Sequence, residues 1–197
     1  MAIDPGRRAR IERCTSETQI TVGIGLDDGA GGVSIDTPVP FFSHMLEAMS
    51  FHGGFSLSVL ARGDIEVDPH HLVEDVGLVL GDCLRAARGD APVVRFASAL
   101  VPMDDALAEV VVDVGGRAYV HYEASYPQPA AGDFDVALVR EFLLALAMRA
   151  QINVHATVRR GANSHHMVEA LFKALGRALA AAYAPSGRAM STKGRVG

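Results

Sequence analysis

The chain has 197 residues, 49% of them apolar and 21% charged, with a formal net charge of −5. That length allows one large domain or two fused halves with a substantial core, and the composition is ordinary for a soluble globular protein. The negative charge argues against a general nucleic-acid or membrane-surface binder, but leaves room for a local basic pocket that takes a small anion.

The opening MAIDPGRRARIERC is basic and lacks the apolar core of a signal peptide. The longest apolar run, residues 142–148, is too short to span a bilayer. Cys14 and Cys83 make neither a disulfide framework nor a zinc-ligand spacing, and Cys83 reads as a small core residue. A cytoplasmic protein with no membrane or nucleic-acid partner is the expectation.

Ile20, Val22, Ile24 and Leu26 alternate with smaller or polar residues, which predicts a strand preceded by Glu17. Asp27-Asp28-Gly29 and Gly31-Gly32 turn the chain into a returning strand at Val33 and Ile35. Pro40 opens a helix over 41–51 that carries His44 and ends near His52 and Gly53-Gly54. Phe55, Leu57 and Val59 alternate as the next strand. Asp68-Pro69 then supplies an N-cap and a proline at the first helical position, placing His70 and His71 in the first turn of a long helix. Leu72, Val76, Val79, Leu80, Cys83 and Leu84 form its buried stripe.

Three further strands are predicted over 95–101, 107–114 and 118–122, followed by a loop over 126–133. Helix 136–150 and strand 152–158 lead to a capping stretch, 161–164, and a last helix to about 183. The divisions expected are 1–93 and 94–184 for the two halves and 185–197 for a mobile tail. His121 and His155 fall on strands outside the repeat described next and read as structural.

The sequence HHxxE occurs twice, at His70-His71-Leu72-Val73-Glu74 and at His165-His166-Met167-Val168-Glu169. On a helix, residues three and four apart share a face, so both histidines can converge with the glutamate. Imidazole nitrogen with carboxylate oxygen suits a divalent first-row metal such as Mn, Fe or Zn. With 8 His in the chain, two chance copies have a probability on the order of 10⁻⁴. Two capped helices that merely carry histidines at their ends are disfavoured accordingly.

The repeat extends beyond the motif. HHLVEDVGLVLGDCL overlays HHMVEALFKALGRAL at an offset of 95, and the preceding strands overlay at 97. Carrying 97 back into the preceding helix puts His44 on Glu141. Neighbouring helical residues sit about 100° apart, so the two histidines of one motif need not serve one ion. The symmetric solution assigns His44, His71, His165 and Glu169 to one metal, and Glu141, His166, His70 and Glu74 to its mate.

The stretches FFSHMLEAMSFHGGF, DPHHLVEDVGLVLG, VPMDDAL, DVGGRAY, GANSHHMVEALFKALGRAL and STKG, in that order, resemble the imidazoleglycerol-phosphate dehydratase family, hydro-lyases of histidine biosynthesis. The resemblance covers about residues 11–193. It implies an α+β fold of the ribosomal protein S5 domain 2-like kind, a tandem duplication of two similar α/β halves with helices packed between two β-sheets. It also implies two manganese ions per active site, held by the two ligand sets just given, and a homo-oligomer of 24 subunits built from trimers, with sites at subunit contacts. Glu141 stands where the family commonly has histidine, and Ser43 where it usually has aspartate. Arg95, Arg117, Lys173, Ser191, Thr192 and Lys193 match a phosphate-binding set of cationic forks, ammonium groups and hydroxyls. Further substrate contacts implied are Glu17, His44, His52, His70 and His165.

The implied reaction is manganese-dependent dehydration of imidazoleglycerol phosphate to imidazole-acetol phosphate. The carbon that loses a proton has no carbonyl beside it, so charge stabilisation of a deprotonated ring by metal is the natural assistance. Glu17 is the candidate acid/base and His52 a second. Two rivals explain the ligands alone: a binuclear metallohydrolase and a metal-storage shell.

Overall fold

The computed structural model describes residues 6–187. Apolar–polar alternation drives the chain into two four-stranded sheets of the same topology. In the first, β1 (Arg8–Cys14), β2 (Thr18–Gly25), β3 (Val33–Asp36) and β4 (Ser56–Gly63) lie in the order β1-β2-β4-β3. In the second, β5 (Phe96–Met103), β6 (Ala106–Asp113), β7 (Tyr119–Glu123) and β10 (Asn153–Arg160) lie in the order β5-β6-β10-β7. Both sheets have two antiparallel pairings and one parallel one, β3–β4 and β7–β10. A parallel pair needs a crossover, which α1 (Pro40–Gly53) and α3 (Leu138–Ala150) supply in the respective halves.

The helices lie between the sheets. α2 (His70–Arg88) covers β1 and β2, and α4 (Ser164–Tyr183) covers β5 and β6. Across the middle, α1 pairs with α4 and α2 with α3, so each half lends a helix to the other and one apolar core results. Two of these crossings are made at glycine. A Cβ on Gly176 would stand 1.9 Å from the Met49 carbonyl oxygen, and one on Gly81 would stand 2.5 Å from that of Leu146. Gly81 and Gly176 differ by the offset 95, and Met49 and Leu146 by 97, so the same backbone contact is made twice about a pseudo-twofold axis.

The two halves end their first helices differently. α1 stops at Gly54 in the left-handed region (φ 71), whereas α3 stops at Gln151 (φ 54), the same position at offset 97. Left-handed backbone costs a residue with a Cβ about 1–2 kcal/mol, partly offset by the greater freedom that glycine loses on folding. Gln151→Gly is therefore expected to stabilise the fold by roughly 0.5–1 kcal/mol, read as a higher denaturant midpoint with unchanged slope.

Several sequence expectations are corrected here. The basic opening stretch contains β1, whose exposed Arg8, Arg10 and Glu12 alternate with partly buried Ala9 and Ile11. Charged residues on an edge strand discourage pairing with other chains, and they also hide the strand from an apolar-periodicity reading. α2 starts at His70, with Pro69 rather than Asp68 at the N-cap position. The Asp68 carboxylate still accepts the His70 N–H, at 2.6 Å. The predicted loop over 126–133 holds a short strand, β8 (Ala130–Ala131), paired with β9 (Phe134–Asp135). At the tail, Pro185 bridges to Val93, and the Ser186 N–H donates to the Pro92 carbonyl at 2.9 Å.

His121 and His155 are exposed neighbours across β7 and β10, with ring centroids 5.7 Å apart. Cys83 is buried, and burial pushes its thiol up to about 12. Among the described residues no helix is long and apolar enough to cross a membrane.

Candidate metal centre

The pairing of α1 with α4 brings together the residues that the overlay singled out. His165 and Glu169 sit four apart on α4, and His44 faces them from α1. His44 Nε2 lies 3.5 Å and His165 Nε2 3.2 Å from Glu169 Oε2. One ligand atom from each residue lies within 4.8 Å of the others. Local sequence fixes the approach: the Asn163 side chain caps α4 by accepting the His165 N–H at 2.9 Å, and Phe41 meets the His165 ring edge-on at 5.0 Å.

Glu169 is 7% exposed, so its charge needs a partner. Lys173, one turn further along α4, donates from Nζ to Oε1 at 2.9 Å and leaves Oε2 to the two imidazoles. Burial pushes the Glu169 carboxyl up, but the Lys173 ammonium bonded to it, with smaller help from His44 and His165, holds it below its ordinary value. Two nitrogens and an ionised oxygen with one open side fit a divalent metal.

The mate set occupies the pseudo-equivalent helices without closing to the same degree. His70 Nε2 lies 3.6 Å from Glu74 Oε2 on α2. Glu141, in the first turn of α3, shares an open cavity of about 330 Å³ with Glu74, walled in part by Tyr119, Leu144 and Met148. Its Oε1 accepts from Arg140 at 3.0 Å.

Within one chain the other two histidines contact carboxylates outside these sets. His71 Nδ1 lies 3.3 Å from Asp64 Oδ2 and 3.7 Å from Glu17 Oε2; the Asp64 contact, then Glu17, raises its pKa. His166 Nδ1 lies 2.7 Å from Asp105 Oδ1. The Ala162 N–H, then His166, holds Asp105 down at about 2. In both cases a carboxylate takes Nδ1, and His166 Nε2 lies 3.8 Å from Asp104 Oδ2. Asp64 and Asp105 stand in connections, between β4 and α2 and between β5 and β6, and belong to neither HHxxE motif. Asp105 is 61 residues from His166 and Asp64 only seven from His71, and neither spacing marks a pair, because Asp64 stands before the helix begins.

The remaining predicted residues are spread more widely. His52 lines an open cleft of about 510 Å³ with Arg177, Ser98 and Leu100. Burial lowers its pKa, followed by Lys173 and Arg177, with Glu169 opposing. Arg95 enters β5 with φ 80; its guanidinium is bound to Asp113 at 2.7 Å and lies over the Phe96 ring. Arg117 is exposed before β7, and its carbonyl accepts from Asn153 Nδ2 at 2.6 Å. Lys173 is therefore the predicted phosphate contact that touches the first ligand set. Ser191, Thr192 and Lys193 lie outside the described residues.

The chain is thus a two-half α+β protein with a His-His-Glu cluster, of a kind that could hold a metal ion, at the junction of its halves. The family model described as imidazoleglycerol-phosphate dehydratase matches residues 37–179. The imidazoleglycerol-phosphate dehydratase of Lacticaseibacillus casei (strain BL23) is 50% identical over 179 residues, covering 90% of this chain and 92% of the relative. That of Geobacter metallireducens is 49% identical over 194 residues, covering 96% and 99%. The crystal structure of IGPD from Pyrococcus furiosus in complex with (S)-C348 superposes with a TM-score of 0.84 at 38% identity, covering 94% of this chain and 99% of that one. The corresponding structure from Staphylococcus aureus N315 gives 0.81 at 37%, covering 91% and 99%. The chain belongs to the imidazoleglycerol-phosphate dehydratase family and is a hydro-lyase of that family.

Proposed function

We propose that the chain dehydrates imidazoleglycerol phosphate to imidazole-acetol phosphate in histidine biosynthesis, in the cytoplasm, with two manganese ions per active site. The observation that carries this is the convergence of His44, His165 and Glu169 on one point beside Lys173. His44, His165 and Glu169 hold one ion, and His70, Glu74 and Glu141 the other. His71 and His166 of neighbouring copies complete the sets; in its own chain each has Nδ1 against a carboxylate outside the two sets. The copies form a homo-oligomer, a 24-subunit shell of trimers. Exposed Phe51, Phe96, Leu100, Tyr119 and Met148 supply apolar surface for such contacts.

Metal held by these residues would supply positive charge that favours a deprotonated substrate ring. The chain's own groups do the rest. Arg95, Arg117 and Lys173, with Ser191, Thr192 and Lys193, hold the phosphate by charge-assisted hydrogen bonds. Glu17 moves the proton at the carbon that loses hydrogen, and His52 is the second candidate for proton transfer. Loss of the neighbouring hydroxyl as water leaves an enol, which becomes the ketone.

Purified protein supplied with manganese and imidazoleglycerol phosphate is expected to form the imidazole-acetol product. Release of inorganic phosphate would instead favour a metallohydrolase, and metal-dependent assembly without turnover a storage shell. Glu17→Gln is expected to keep substrate binding and to lose about 10²–10⁴-fold in kcat, the usual worth of a positioned acid/base. A Glu17→Gln protein turning over at the wild-type rate removes Glu17 from that role.

A further inference from the structure

The two ligand sets occupy the same backbone setting but differ in chemistry. Each HHxxE begins a helix of the same length class, α2 or α4, and each set is completed from the helix packed against it, α3 or α1. Helix-terminus effects are therefore shared and cancel in a comparison of the two. What differs is the side chains. At offset 97 the first set has His44 where the mate has Glu141, and at offset 95 it has Lys173 where the mate has Leu78. The first set thus offers two imidazoles and one carboxylate, buried and bonded to an ammonium at 2.9 Å. The mate offers one imidazole and two carboxylates, both partly exposed, with the half-exposed Arg140 on Glu141. Counting each cation with the carboxylate that it touches, the first set is neutral (Glu169 with Lys173). The mate carries −1 (Glu74 and Glu141 with Arg140).

Imidazole-rich sets suit zinc, iron and other borderline ions, while carboxylate-rich sets suit manganese and magnesium. Extra negative charge adds to the hold on a hard cation, and a carboxylate already bonded to an ammonium is a weaker anionic ligand. We infer that the two positions are not equivalent: the His44–His165–Glu169 position discriminates for zinc-like ions over manganese more strongly than the His70–Glu74–Glu141 position, and Glu141 is the residue that sets the difference. This rests on the proposed reading that both sets hold metal. A histidine from a neighbouring copy adds one nitrogen to each set alike, so it does not remove the inequality. The consequence is a pair of positions that load differently from a mixed pool of cations.

The test is competition read by anomalous scattering. The full-length protein, equilibrated with equimolar limiting Mn²⁺ and Zn²⁺, is crystallised and mapped at both absorption edges. The Zn:Mn ratio at the first position is expected to exceed that at the second by about tenfold or more. Glu141→His is expected to bring the two ratios within about threefold, and His44 already shows that imidazole fits the equivalent place on α1. Equal ratios in the wild-type protein overturn the inference while leaving both metal positions standing. A difference that persists in Glu141→His overturns the assignment to Glu141. No anomalous peak at either position, or a peak at the first alone, overturns the underlying reading of two metals and the inference with it.

Discussion

Glu169→Gln is expected to lower metal content and turnover together, with kcat falling by about 10²-fold or more. The carboxylate has two separate tasks. Oε1 accepts from Lys173 and Oε2 faces the Nε2 atoms of His44 and His165. An amide cannot do both. With its oxygen toward Lys173 it points an NH₂ at the imidazoles, where an electron-pair donor is required. Turned round, it sets NH₂ against the ammonium and leaves a partly buried cation, 19% exposed, without its partner. The shape is conserved, so the fold is expected to persist, and metal analysis on the purified variant separates loss of ligation from loss of structure. Lys173→Met is the informative contrast. It removes the cation that holds the carboxyl below its ordinary value, so its defect is expected to grow as pH falls, where Glu169 begins to protonate. The sign follows from linkage: a carboxyl whose pKa is depressed by a partner loses that contribution as pH falls through its folded value. A Glu169→Gln protein with full metal stoichiometry and wild-type kcat would show that the cluster is not the metal centre.

The distance between sequence and structure is clearest around this same carboxylate. His44 could be placed beside His165 and Glu169 because duplication repeats helix, strand and helix at nearly constant offsets, so one copy indexes the other. The two-sheet architecture came from the family resemblance, not from the repeat itself. Lys173 was different: it was read through resemblance as a phosphate contact, and its position four residues after Glu169 was not used. Yet that spacing puts it one turn along the same face, the ordinary geometry of a helical ion pair. The partners of His71 and His166 left no such trace. Asp105 lies in the turn between β5 and β6, and only the packing of α4 on that sheet brings it to His166, 61 residues on; Asp64 lies in the connection from β4 into α2, seven residues before His71, across a helix start where no regular spacing applies. β1 was missed because its outward residues carry charge, as an edge strand requires, and its inward residues, Ala9 and Ile11, are too few to make a pattern.

Gly176→Ala is expected to be the most damaging single methyl group in the molecule. A Cβ there would lie 1.9 Å from the Met49 carbonyl oxygen and 2.8 Å from its carbon, both backbone atoms that no rotamer change can move. Relief requires α1 and α4 to separate by more than an ångström. Overpacking of this kind costs about 1–3 kcal/mol and sometimes more, and a rigid backbone clash belongs at the upper end. The same separation pulls His44 away from His165 and Glu169, so metal binding is expected to fall with stability. Gly81→Ala, whose Cβ would lie 2.5 Å from the Leu146 carbonyl oxygen, strains the pseudo-equivalent crossing of α2 and α3 less. Gly31→Ala meets nothing within 4 Å and is a matched control, expected within about 0.5 kcal/mol of wild type. The order of denaturant midpoints should be Gly31→Ala highest, then Gly81→Ala, then Gly176→Ala. If Gly176→Ala unfolds with the control, the helices cross more loosely in solution than this contact requires. The glycine at the crossing would then have no part in holding His44 against α4.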